Sequence, residues 1–286
     1  MDVKEPSPVS VRGALVERIH SASSSLASAV TLAEDIKDWL HDAIYKDLLV
    51  FETDIAQISS LVVIVLESAG ALTELGLFVR NKHLKNKVLV FISEHHYQKD
   101  SFVTMGPLRY LERSNSACIS SYPWSKSGKY MDMSGEFKGT LDSMISDVEN
   151  LLADQDKSVA FDEGNEGHVS FFIFELLLTF RALKFGEIID YLSCVGLPSS
   201  KELVKRLLFL LKKFGLVGEK RRGNVDYYFA TSMDSRVQLG GKVDIAAATI
   251  SSMRFYISSE LEKKRVDIIS SVYAGAPPAK SGKGAQ

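Results

Sequence analysis

The stretch that most limits what this chain can fold into is LVVIVL at residues 61–66. Six apolar residues in a row, four of them β-branched, fit a strand covered on both faces in a parallel sheet, and they fall far short of the roughly 18 that a membrane span requires. The turn ESAG follows at 67–70, then ALTELGLFVRNK at 71–82, long enough for three helical turns, then a break at Asn86 and a second apolar run, VLVFI, at 88–92. Strand, helix and strand in that order make a βαβ unit with parallel strands and a right-handed crossover. The expected fold class is therefore α/β, built on a parallel sheet.

A chain of 286 residues has room for two modest domains or one large one. Its 45% hydrophobic and 24% charged residues exclude a disordered or collagen-like chain. The 34 basic and 36 acidic residues leave a net charge of −2, so any contact with nucleic acid or anionic membrane has to be local. Cys118 and Cys194 lack CxxC spacing, and two such thiols build neither a disulfide framework nor a zinc site. No metal site is expected. That cysteine usage, with no apolar segment after the charges of MDVKEPSPVS, leads to the expectation of a cytoplasmic protein without secretion signal or membrane span.

Residues 1–60 read as mostly helical, most clearly over 11–19 and 32–45. The stretch 121–139 reads as loop, 141–152 as a helix, and the acidic run DQDKSVAFDEGNEG as a linker. Beyond it the apolar pattern changes to three helices, at 171–183, 185–195 and about 200–214, the last capped by Ser199 or Ser200. Two β-like pieces, LVGEK and VDYYFATS, then flank RRGN, in which Gly223 and Asn224 supply hairpin chemistry. Three helices and a hairpin follow the winged-helix order. A final helix is expected over 245–265 and a disordered tail over 274–286.

In open α/β sheets, ligands sit where loops leave the carboxyl ends of the strands. ESAG occupies that place. Ala71, Leu72, Leu75, Leu77, Phe78 and Val79 make the next helix apolar almost all round, yet Glu74 is expected in its first turn. A carboxylate there either complements the helix dipole from the solvent edge, or faces a ligand crevice, where it can act as a nucleophile toward an anomeric carbon. Glu67, at the end of the strand, has the same two readings.

The stretch VVIVLESAGALTELGLF, then HLKNKVLVFI and FVTMGPLRYLERSN, closely resembles the nucleoside 2-deoxyribosyltransferase-like effectors encoded beside reverse transcriptases in bacterial retrons. The likeness covers roughly residues 54–115; the C-terminal half matches in layout only. It implies a Rossmann-like N-glycosidase in which Glu74, four residues after Gly70, attacks C1′ of a nucleoside to form a glycosyl ester, with Glu67 or Glu52 as the second group. It further implies that Ser68, Ala69 and Gly70 line the ribose or phosphate side and that Arg109 meets a phosphate. Arg109 could equally pair with Glu112 one helical turn away. The implied substrate, rather than cofactor, is NAD, cleaved to nicotinamide and ADP-ribose by a toxin of antiphage defence. Relatives begin with a strand and a Gly-containing turn that has no counterpart before MDVKEPSPVS, and ESAGA stands for ESPGS. The expected division is an N-glycosidase domain over 1–153, a linker over 154–168, a winged-helix nucleic-acid or partner-binding domain over 169–273 and a tail over 274–286.

Within that second domain, Lys201, Lys205, Arg206, Lys212, Lys213, Lys220, Arg221 and Arg222 stand against Glu202 and Glu219, a local charge of +6. At 100° per residue the helical ones gather on one side, opposite Leu203, Val204, Leu207, Leu210, Leu211 and Phe214. This suits a recognition helix and wing against phosphates, and equally a solvated amphipathic helix. Phe209 falls in the middle of the basic side, placed to stack on a base or pack against a partner. The resemblance implies that the partners are the retron reverse transcriptase and its multicopy single-stranded DNA–RNA hybrid; a homo-oligomer is also allowed. The competing reading is a winged-helix regulator whose nucleotide-binding domain does not cleave. His95 and His96 are expected to diverge as structural polar residues, and Trp39 and Trp124 to anchor core or interface.

Overall fold

The computed structural model describes residues 10–22, 26–36, 44–124, 135–156, 158–240 and 244–274, with side chains from 138 onward in the helix that begins at 135. Over those residues the chain falls into two compact units, Met1–Asp35 with Asp47–Ala160, and Ile36–Lys46 with Phe161–Gln286. Residues 36–46 thus join the second unit although they precede every strand of the first. Of the helix expected over 32–45, only 33–35 form a 3-10 turn, and 37–43 lie outside the described residues, as do Trp39 and the tail from 275.

The first unit holds a three-stranded parallel sheet in the order β1 (Val62–Val65), β2 (Val88–Ser93), β3 (Ile119–Tyr122). Val65 pairs with Phe91 and Ser93 with Tyr122, so the three carboxyl ends share one edge. Helices α1 (Val11–Ser21), α2 (Leu48–Ile58), α3 (Ala69–Val79), α4 (Glu94–Tyr97), α5 (Arg109–Glu112) and α6 (Gly135–Asp154) complete the unit. Side chains alternate faces along a strand. Accordingly Leu89 and Phe91 pack with Val11, Leu15 and Ile19 of α1 and Leu141, Met144 and Val148 of α6, while Val88, Val90 and Ile92 pack with Leu75, Phe78 and Val79 of α3. Every residue of β2 is buried, which is why its sequence is an unbroken apolar run as far as Ile92.

β3 is not among the expected strands, and its last two residues fall at the start of the expected loop: ISSY carries no apolar pattern, because it is an edge strand held by its pairing to β2 and only half-buried. A half-buried lysine ties α2 to the sheet. Lys87 Nζ donates to the carbonyls of Gln57 at 2.9 Å and Ser59 at 3.1 Å, and burial pushes its pKa down.

The second unit runs through α7 (Glu166–Phe180), β4 (Leu183–Lys184), α8 (Phe185–Cys194), α9 (Lys201–Lys213), β5 (Val217–Arg222), β6 (Val225–Ala230), α10 (Ile245–Ser258) and α11 (Lys263–Tyr273). The strands form an antiparallel sheet in the order β4-β6-β5. Gly223, at φ 63° in the left-handed region, and Asn224 make the hairpin turn. Val169, Ile173 and Leu177 of α7, Ile188 and Leu192 of α8, and Val204, Leu207 and Leu211 of α9 form the core. Asn165 caps α7 by accepting from Gly167 N at 3.0 Å, so helix starts inside the stretch expected as linker.

The single helix expected over 245–265 is broken at Ser259, and the break brings Arg265 to the interior. Only 2% exposed, Arg265 pairs with Glu187 and Glu262, donates to the Ala182 carbonyl at 2.9 Å and lies 4.4 Å from the centre of the Tyr256 ring. Among the described residues, no helix is long and apolar enough to cross a membrane.

Candidate functional site

Ser68 is the N-cap of α3, accepting from Ala71 N at 3.1 Å, so ESAG is less a turn than the first residues of a helix. Because α3 begins at Ala69, Glu74 sits in its second turn, not its first, and is half-buried. Leu72 and Glu74 are two residues and hence about 200° apart around the helix. They face different surroundings.

On the Leu72 side, a cavity of about 660 Å³ opens at the carboxyl ends of β1 and β2. Ser68, Ala69 and Leu72 from α3 and Glu67 just before it form one wall, and His95, His96 and Lys99 another. Ile92, Val103 and Trp124 supply apolar surface. Gly70, Glu74, Glu52 and Arg109 are not among its lining residues.

Glu67, weighed from the sequence as a second catalytic group, has its carboxylate engaged by the start of α1. Its Oε2 accepts from Val11 N at 2.8 Å and its Oε1 from Arg12 N at 3.1 Å, so the carboxylate caps the N-terminus of α1 and complements its dipole. Glu52 and Glu74, by contrast, are brought within electrostatic reach of one another. Burial first, then the negative charge of Glu74, then that of Glu34, push the Glu52 carboxyl up to about 7. A carboxyl that keeps its proton to neutrality beside another carboxylate is the arrangement by which one site separates acid from base.

Arg109 is exposed and forms no ion pair with Glu112, whose Oε1 instead accepts from the Tyr97 hydroxyl. His95 and His96, expected to diverge, stand on the one-turn helix α4 with rings 5.6 Å apart, and both line the cavity. The signal for them was the serine that ends the apolar strand: Ser93 caps α4 and so puts the next residues at the ligand-bearing edge of the sheet. Among the described residues, no group of three metal-binding side chains occurs.

In the second unit the basic side chains are unequal. Arg206 pairs with Glu166 at 3.0 Å, Lys212 with Glu219, and Arg221 with Asp226 at 3.7 Å, while Lys220 donates to Ser271 Oγ at 3.1 Å. Lys201, Lys205 and Arg222 are exposed, and Lys213 Nζ lies 5.4 Å from the Phe209 ring centre. Phe209 itself, expected on the outer basic side, is buried at 5% exposure with Tyr45 edge-on at 6.2 Å. The helical wheel placed it outward; Tyr45, from the segment 36–46 far earlier in the chain, covers that side.

These features define an α/β protein with a cavity at the ligand-bearing edge of its parallel sheet, a carboxyl pair that includes Glu74 of α3, and a second, mainly helical unit that carries a basic hairpin. The model of the STM3845 retron effector protein family matches residues 8–219, and the chain belongs to that family. It is similar to the "Retron Ec73 putative ribosyltransferase/DNA-binding protein" of Escherichia coli, at 25% identity over 181 residues, 59% of this chain and 57% of that protein. It is also similar to the "Retron Ec86 putative ribosyltransferase/DNA-binding protein" of Escherichia coli, at 33% over 72 residues, 25% and 24% of the two lengths. The chain thus spans little more than half the length of the first relative and about a quarter of the second.

Proposed function

We propose that this chain is an antiphage retron toxin whose first unit cleaves the N-glycosidic bond of a nucleotide. NAD is the substrate, with nicotinamide and ADP-ribose as products, and no cofactor is needed. Glu74 attacks C1′, the C1′–N bond breaks, and its electron pair leaves with neutral nicotinamide. Glu52 in its ionised form, present in comparable amount to the protonated form near pH 7, then takes a proton from the water that attacks C1′, and Glu74 leaves as the carboxylate. For an ordinary nucleobase the protonated Glu52 would also supply the proton the leaving base needs.

The observation that supports this reading is the Glu52–Glu74 pair, with Glu52 held protonated up to about 7. The printed names of the retron relatives, ribosyltransferase and DNA-binding, point the same way. The order of α7, α8, α9 and the β5–β6 hairpin supports a winged-helix unit, whose exposed Lys201, Lys205 and Arg222 would meet the retron DNA–RNA hybrid and hold the toxin beside the reverse transcriptase.

One observation favours a second reading, a non-cleaving nucleotide-binding regulator: Glu74 does not line the cavity. Nicotinamide release from NAD by the full chain separates the two. Cleavage by the parent that falls roughly 10⁴-fold in Glu74→Gln and about 10²-fold or more in Glu52→Gln supports the enzyme. A parent that releases no nicotinamide, or a Glu74→Gln protein as fast as the parent, overturns it.

A further inference from the structure

The cavity on the Leu72 side of α3 takes no part in the carboxyl chemistry, yet it is built to hold something. Its volume, about 660 Å³, falls in the range of small-molecule sites. Its apolar lining comes from Leu72, Ile92 and Trp124. One rim is cationic or hydrogen-bond donating, through His95, His96 and Lys99.

The charge of that rim is not used internally. The Lys99 ammonium has no ion-pair partner among the described residues. Ser93 Oγ accepts from His96 N at 3.3 Å and lies 2.8 Å from His96 Nδ1. Its own proton can therefore go to Nδ1, which leaves Nε2–H of that tautomer as a free donor. The one carboxylate in the lining, Glu67, is bound to the N-terminus of α1, which complements its charge.

The rim is also fixed in place. The hydroxyl of Thr104, a buried residue, donates to the Lys99 carbonyl at 2.6 Å and accepts from Ser101 N at 3.0 Å, and Lys99 N donates to the His96 carbonyl at 3.3 Å. Together these bonds hold Lys99 against α4. A preformed basic rim with an apolar lining recognises an anion carried on a flat hydrophobic body.

We propose that this cavity is a nucleotide subsite, in which Lys99, His95 and His96 hold the phosphate and Trp124, Leu72 and Ile92 receive the base. The proposal deepens the nucleotide reading of this unit but does not depend on Glu74 as nucleophile. The subsite lies on the opposite side of α3 from Glu74.

Equilibrium binding of AMP, adenosine and inorganic phosphate to the full chain tests it. AMP should bind at least about tenfold more tightly than adenosine or phosphate alone, because only AMP engages both rim and apolar lining. Lys99→Gln should weaken AMP about tenfold by removing a charge-assisted hydrogen bond, and His96→Gln should weaken it in the same direction. Both positions are exposed, so neither change disturbs the core. Lys85→Gln, outside the cavity, should bind as the parent does.

Adenosine binding as tightly as AMP, no AMP binding by the parent, or Lys99→Gln and His96→Gln proteins with parental affinity would each overturn the proposal. Glu74→Gln separates this subsite from the carboxyl chemistry. Cleavage lost with AMP binding retained supports both, whereas cleavage retained by Glu74→Gln sinks the nucleophile and leaves the subsite standing.

Discussion

The raised Glu52 pKa makes a stability prediction that needs no knowledge of substrate. In the unfolded chain this carboxyl titrates near its ordinary 4.5; in the folded chain it titrates at about 7. The folded state therefore binds the proton more tightly. That preference contributes stability fully below pH 4.5, and the contribution is lost as pH rises through 7. At about 1.4 kcal/mol per tenfold in proton affinity, the ceiling is ~3 kcal/mol. Glu52 is only half-buried, so solvent screening brings the expected loss to about 1–2 kcal/mol. The perturbation is Glu52→Gln, which keeps the shape and removes the titration.

Amide exchange at Val90 and Phe91, fully buried in β2, reports opening of the first unit. Corrected for intrinsic rates, the parent should lose about 1–2 kcal/mol more protection between pH 5 and 8 than the Glu52→Gln protein does. Glu74→Gln should narrow the difference without abolishing it, because burial is the larger cause and Glu74 the second. Equal losses in parent and Glu52→Gln would refute the reasoning.

Two further outcomes concern the second unit. Arg265→Met should cost roughly 3 kcal/mol, since it removes the buried cation between Glu187 and Glu262 and leaves them only the half-exposed Lys184; protection at Leu210 should drop while that at Val90 stays. Replacing Lys220, Arg221 and Arg222 together by Ala should weaken nucleic-acid association and flatten the dependence of log K on log salt. Arg222→Ala alone should give at least half of that change in slope, because Lys220 and Arg221 already have partners in Ser271 and Asp226.

The elements legible from sequence are those whose environment is uniform. β1 and β2 are apolar because neighbours cover both faces, and α9 shows its N-cap because Ser200 accepts from Leu203 N at 3.2 Å within a few residues. β3 was not legible, since an edge strand such as ISSY draws its order from backbone pairing that any sequence can supply. The break at Ser259 escaped for a related reason. Helical periodicity runs through it, and what ends the helix is a buried arginine meeting Glu187, some 78 residues earlier. Phe209 failed in the opposite sense, since a helical wheel assumes that the surroundings of one side are uniform, and Tyr45 makes them otherwise.

The candidate site shows the same division at the level of charge. Glu52, Glu67 and Glu74 look alike in sequence, each an acid near an apolar strand or helix. Glu67 is set apart by the N-terminus of α1, whose free N–H groups take up its charge. Glu52 and Glu74 are set together by α2 and α3, on either side of β1 in the chain, and among the described residues no donor relieves Glu52, so burial and its neighbour's charge act in one direction. What a carboxylate does is decided by which helix end or which second carboxylate the fold places beside it. The same holds for the histidines of α4, which gain a role only because Ser93 turns the chain at the sheet's carboxyl edge. Local pattern locates the edge; the partners that give each side chain its protonation and its use come from contacts tens of residues away.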